Sequence, residues 1–244
     1  VLHPEPDADQ PGIQGMVTNP TSVASTQLIV FLENGGQVGG VVLPPLVSFL
    51  LDRSAQTYAK AAVWLQARRH YDRIVMLDEA QATEAHLWQA LIEAGHATVD
   101  VLMLVHGLPG QAYGYGGRVV KADFFAGLRS LRAAGQAPFT LRAVYQMNCY
   151  GQSLMEEWLS LGAQAVNGSV GVNWLPEPSL SVFLWHWLRG RSFEDAIQRS
   201  YATASRLLGL IWRPEAARSG IQQPHAKIAS SRMTVAGRAH MPRV

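Results

Sequence analysis

The chain holds one cysteine, Cys149, at a position where a thiol can do chemistry. It lies just past the apolar run LRAVYQM (141–147). Tyr150-Gly151 and a helical pattern of Leu154, Met155, Trp158 and Leu159 follow it. A lone cysteine inside a core is a small inert hydrophobe. One at the end of a strand, facing the N–H groups of a following helix, gains thiolate character and becomes a nucleophile. His106 has a matching placement. It ends the apolar run VDVLMLV (99–105) and directly precedes Gly107, which lets another backbone or a substrate come close. An imidazole near neutral pH takes the proton of a thiol and supplies one to a leaving amine. The two residues are 43 positions apart (149 minus 106), a gap that holds one strand-to-helix-to-strand crossover. A right-handed crossover sets two parallel strands side by side or nearly so, and their carboxyl-end residues can then meet.

Such a pair needs alternating strands and helices, and the sequence supplies them. QLIVFL (27–32), RIVML (73–77), VDVLMLV, LRAVYQM and AQAVNGS (163–169) read as buried strands. Helical spacing runs through 42–70, through Leu87, Trp88, Leu91 and Ile92 up to Gly95, and through Phe124, Phe125, Leu128 and Leu131 up to Gly135. SLSVFLWHWLRG is helical to Gly190, and Ser192 with Asp195 reads as a capping pair for a last helix. GYGGRVV reads as a small glycine-turned hairpin. Mostly apolar strands alternating with helices predict an α/β fold, a three-layer α/β/α sandwich with a mostly parallel central sheet. In such sheets chemistry collects in loops at the carboxyl ends of the strands. The predicted organisation is a polar, Pro-rich N-terminal extension (1–25), a catalytic domain (26–212), and a basic C-terminal extension (213–244) packed on or trailing the domain.

Composition narrows the function classes. Hydrophobic residues are 48 %, enough for a sizeable core, and charged residues only 16 %, which argues against a disordered or nucleic-acid-coating chain. The net charge of +2 is uneven: Arg213 to Val244 carries six basic residues and one Glu, net +5, leaving −3 elsewhere. No aromatic residue is interleaved with those tail charges, so no nucleic-acid partner is expected. One cysteine excludes an internal disulfide and a Cys-rich zinc site. The remaining histidines, His70, His86, His96 and His186 among them, show no metal-ligand spacing, so neither metal nor cofactor is expected. The run VVLPPLVSFLL (41–51) contains two prolines and is too short to span a bilayer, so a soluble chain without a membrane partner is expected. VLHPEPDADQPGIQG has no apolar signal core; it suits the mature start of an exported protein, but the compartment stays open.

Apolar strand, His-Gly, spacer, apolar strand, then Cys and a small-residue turn resembles the caspase-like cysteine peptidases: caspases, clostripain, gingipains, legumain and the bacterial CHAT proteins. VLMLVHG and RAVYQMNCYG carry the two halves. GRVVKADFFAGLRSL between them, and LGAQAVNGSVGVNW and FLWHWLRGRSFEDAIQRSYATA beyond, are similar to the segments that accompany them. The resemblance covers roughly 73–208. It implies a peptide or protein substrate and a cysteine endopeptidase in which Cys149 attacks the scissile carbonyl and His106 protonates the leaving amine. It further implies that the N–H groups of Gly107 and Cys149 hold the oxyanion. The loop bearing Ser169, Asn173 and Trp174 would help line the substrate pocket, joined by Glu33 and Asn34. Two features depart from the family. Met147 stands where Arg-specific clostripain-type enzymes carry an acid, and SVGVNWLP (169–176) has none of the caspase pocket arginines, so the P1 preference is left open.

Two other readings stand beside this one. LVHGLPG is similar to the oxyanion loop of α/β-hydrolases, and MNCYG to their nucleophile elbow with cysteine for serine. Met147 replaces the first elbow glycine, however, and the late histidine would have to be His225 or His240. The other is a non-catalytic caspase-like binding module, because a fold does not fix a function.

Overall fold

A computed structural model describes residues 25–33, 57–175, 177–219 and 228–243. Most of the predicted N-terminal extension, the first part of the predicted 42–70 helix, Asn34 and His225 lie outside the described residues.

Five apolar runs form parallel strands. They are β1 (Thr26–Leu32), β2 (Arg73–Asp78), β3 (Thr98–Leu104), β7 (Thr140–Gln146) and β8 (Ala165–Ser169). A sixth, β9 (Met233–Gly237), is antiparallel to β8 and closes the order β2-β1-β3-β7-β8-β9. The residues 213–244, expected as an extension, thus supply the sheet's edge strand. Between β3 and β7 a small antiparallel sheet of β4 (His106–Leu108), β5 (Gln111–Tyr113) and β6 (Val119–Val120) stands apart from the main one. It includes the predicted hairpin.

Side chains of a strand alternate between faces, so a strand apolar on both must be covered on both. Ile29, Phe31, Val99, Val101, Met103, Leu141 and Val144 pack into one core. The helices above it are α2 (Glu84–Glu93), α3 (Ala122–Ala133) and α4 (Met155–Ser160). Phe125 meets Phe124 and Trp158 edge-on there, with ring centroids 5.1 and 4.9 Å away. Leu28, Val30, Leu32, Leu102, Ala143 and Tyr145 face the opposite core. That side is covered by α1 (57–67), α5 (Ser179–Trp187) and α6 (Phe193–Ser219). Tyr145 stacks on Phe183 at 3.9 Å. Each large apolar side chain buried this way contributes roughly 1.5–3 kcal/mol. The architecture is the three-layer α/β/α sandwich that the alternating pattern predicts.

Local signals set the element ends. The Thr83 hydroxyl accepts the N–H of His86 at the start of α2. Ser192 accepts the N–H of Asp195 at 3.2 Å, the predicted capping pair of α6. One charged pair crosses the core: Arg142 on β7 donates to both carboxylate oxygens of Asp100 on β3, at 2.9 and 2.8 Å. Tyr71 and Trp187 also donate to that carboxylate, at 2.6 and 3.1 Å, so the buried charge is fully partnered. This ties β3 to β7, the two strands whose ends carry His106 and Cys149. Among the described residues no helix is long and apolar enough to cross a membrane.

Candidate active site

β3 and β7 are parallel neighbours, and the last pair in register is Met103 with Gln146. The N–H of Met147 still donates to the Met103 carbonyl at 2.9 Å. His106 lies three residues beyond Met103, and Cys149 three beyond Gln146. Neighbouring strands run about 4.8 Å apart, so equal steps past a shared register bring the two segments to one place. Gly107 shows the contact directly. A Cβ there would strike the carbonyl oxygen of Cys149 and lie 3.0 Å from Nδ2 of Asn148. His106 and Cys149 are each half-buried at this edge.

The turn carrying the thiol is seated on the end of β8. Tyr150 takes a left-handed conformation (φ 56°), and its N–H donates to the Gly171 carbonyl at 2.8 Å. Gly151 then lies so close to Gly168 that a Cβ on Gly168 would meet the Gly151 and Gln152 backbone. The paired glycines are what let the turn reach the neighbouring strand.

Beneath the turn, β7 and β8 pair through Ala143 with Ala165 and Val144 with Val166. Past that point two buried amides continue the ladder. Asn167 Oδ1 accepts the N–H of Gln146 at 2.9 Å, and its Nδ2 donates to the Gln146 carbonyl at 3.1 Å. Gln146 Nε2 donates in return to the carbonyls of Asn167 (2.7 Å) and Gly151 (3.2 Å). Side chains in place of backbone hold the strand ends in position where water is excluded, and of the side-chain atoms of these two amides only Gln146 Oε1 is buried without a partner.

The loop after β8 closes over the thiol. Asn173 Nδ2 donates to the Met147 carbonyl at 2.9 Å, and the Asn173 backbone N–H points at Cys149 Sγ at 3.4 Å. Ser169 is fully buried, and its hydroxyl lies 2.9 Å from the Asn148 carbonyl and 3.0 Å from that of Gly171. The far edge of the loop is held by the segment leading into β9. Val170 and Gly171 donate to the carbonyls of Arg232 and Ser230, and the Trp174 N–H donates to Ser231 Oγ at 2.8 Å.

Of the residues singled out from sequence, His106, Gly107, Cys149, Ser169 and Asn173 therefore gather at the carboxyl ends of β3, β7 and β8. Trp174, half-buried, belongs to the same loop. Glu33 stands at the end of β1, its N–H bonded to the Leu104 carbonyl at 3.1 Å. Burial, then the charge of Glu79, raises its carboxyl pKa. The N–H facing the sulfur is not that of the following helix, as the pattern suggested. Tyr150 turns the chain away, residues Gly151–Leu154 form a tight 3-10 turn, and the loop residue Asn173 supplies the donor instead. His240 is 88 % exposed, with Nδ1 2.6 Å from the Glu194 carboxylate, and so is engaged at the start of α6.

Burial pushes the Cys149 thiol up, and the N–H groups of Asn173 and of Cys149 itself offset this only in part. Burial thus favours the neutral thiol, and using the sulfur as a nucleophile requires a group that takes its proton. One carboxyl gave no signal in the sequence. Glu177, just after the loop, is pushed up to about 7 by burial. Its Oε2 faces the Ser181 N–H at 3.5 Å, while Oε1 is buried without a partner. Among the described residues no group of three or more His, Cys, Asp or Glu is placed to hold a metal.

No family model and no curated protein matches the chain. Among solved structures it is similar to the complex of Porphyromonas gingivalis RgpB pro- and mature domains. That match has a TM-score of 0.50 at 10 % identity, over 89 % of this chain and 48 % of that one. The fold is caspase-like. A secreted C11 cysteine protease from Bacteroides thetaiotaomicron, solved with an irreversible peptide inhibitor, also aligns, with a TM-score of 0.48 at 13 % identity, over 75 % of this chain and 59 % of that one. The chain thus spans about half the length of the RgpB complex chain and about three-fifths of the other. At these identities the likeness is one of fold, and the residues above must carry the chemistry.

Proposed function

We propose that the chain is a cysteine endopeptidase whose nucleophile is Cys149 and whose acid–base group is His106. The observation that carries this reading is the packing of Gly107 against the Cys149 carbonyl, which joins the two strand ends. His106 takes the Sγ proton, and the thiolate adds to the scissile carbonyl carbon. The carbonyl oxygen becomes an oxyanion held by the N–H groups of Gly107 and Cys149. As the intermediate collapses, the C–N bond breaks, its electron pair stays on nitrogen, and the imidazolium supplies the amine's proton. A thioester on Cys149 remains. Water then gives a proton to His106 and adds to the thioester; collapse expels the sulfur, which regains its proton as the carboxylic acid leaves.

In this reading the raised thiol pKa is consistent with a sulfur held neutral until a substrate brings an electrophile and excludes water. Glu33, Asn173 and Trp174 stand at the same sheet edge and are proposed to contact the peptide. The P1 residue is left unassigned, since Met147 is buried with its carbonyl bonded to Asn173 and offers no charge. A peptide library varied at P1, with products mapped by mass spectrometry, tests the activity: cleavage lost in Cys149→Ala supports it, and cleavage retained in that variant refutes it.

A further inference from the structure

The Cys149 N–H belongs to the peptide that joins residues 148 and 149, and so does the Asn148 carbonyl. In a trans peptide these two groups point in opposite directions, so whatever holds the carbonyl also aims the N–H. The holder here is Ser169. It is the last residue of β8, fully buried, and its hydroxyl lies 2.9 Å from the Asn148 carbonyl oxygen. The Gly171 carbonyl at 3.0 Å brackets the same hydroxyl, so no face of it is left for a substrate. We infer that Ser169 is a positioning residue for the oxyanion site, anchoring the 148–149 peptide from the neighbouring strand so that the Cys149 N–H is turned toward the reacting carbonyl.

Three observations support this role. The loop that brackets the Ser169 hydroxyl through the Gly171 carbonyl also aims the Asn173 N–H at Cys149 Sγ, at 3.4 Å, so the anchored peptide and the sulfur share one frame. Accepting a hydrogen bond at the carbonyl polarises the peptide and strengthens its N–H as a donor. The following peptide is fixed as well: Asn148 Nδ2 lies 3.4 Å from the Cys149 carbonyl, and Tyr150 N–H is bonded to Gly171. With its neighbours held on both sides, the donor would meet the oxyanion without reorganising, which is where such donors are most effective. The role given earlier to Ser169, lining the substrate pocket, is replaced by one beneath it.

The inference rests on the peptidase reading, and its test separates the two. Ser169→Ala and the parent are compared on a fluorogenic peptide drawn from the P1 library, and on alkylation of Cys149 by iodoacetamide, a displacement that forms no oxyanion. In Ser169→Ala, kcat is expected to fall about tenfold to a hundredfold, less than the loss of a whole oxyanion donor. KM should stay within about twofold and the alkylation rate should be unchanged. An unchanged kcat overturns the inference, as does an equal fall in kcat and alkylation, which would mark a purely structural residue. A parent protein that cleaves no peptide overturns the peptidase reading and the inference with it.

Discussion

The carbonyl oxygen of Cys149 fills the space that a Cβ on Gly107 would need. This contact joins the ends of two strands through residues 42 positions apart in sequence (149 minus 107), and it leaves no room for a side chain. Because both partners are backbone, neither can swing aside.

Gly107→Ala is therefore expected to push the His106 strand off the Cys149 turn. The overpacking should cost about 1–3 kcal/mol in stability and lower peptide turnover by more than the stability loss explains. Gly209→Ala in α6 is the control. Nothing lies within 4 Å of a Cβ there, so the change should stabilise the helix by up to about 1 kcal/mol. Thermal melting and turnover of both variants decide the matter.

The Cys149 thiol, raised by burial, gives a pH signature. In the free protein, iodoacetamide labelling is expected to be slow near neutrality and to climb only as the pH passes the ordinary thiol range. His106→Ala should leave that alkaline limb in place, because burial and not the imidazole sets it. Fast labelling with a flat profile around about pH 7 would instead mean that a thiolate–imidazolium pair already exists at rest.

Glu177 gives the other pH effect. Its carboxyl is raised from 4.5 to about 7, so the folded state holds this proton more tightly than the unfolded chain. The stability associated with it is fully present below 4.5 and is lost as the pH rises through about 7. Glu177→Gln keeps the shape and removes the titration. Relative to the parent it should gain stability between these limits, about 3 kcal/mol at most and less once solvent screening of the half-buried carboxylate is counted. Denaturant melts across that range read the difference, and parallel curves for the two proteins would contradict the assignment.

The sheet was legible because its strands are apolar on both faces and are separated by helices with clear stop signals at Gly95, Gly135 and Gly190. His106 and Cys149 drew notice in the sequence because each follows such a strand within three residues. What periodicity could not reveal lies in the loops. The donor to Cys149 Sγ is a backbone N–H of Asn173, and no residue type announces which N–H a turn will aim. Ser169 looked like a pocket residue because it opens a loop. Only the pairing of β7 with β8 shows its hydroxyl turned to the Asn148 carbonyl. β9 was hidden in a segment read by its charge. MTVAG is short and only partly buried, as befits an edge strand, and its pairing partner is remote in sequence.

The most direct test of the account is labelling by a peptidyl acyloxymethyl ketone with a mixed P1 position, with the modified residue located by tandem mass spectrometry. Covalent labelling of Cys149 is predicted, abolished in Cys149→Ala and slowed at least about tenfold in His106→Ala. Labelling of Cys149 at an undiminished rate in His106→Ala, or no labelling of Cys149 by any member of the mixture, would contradict it.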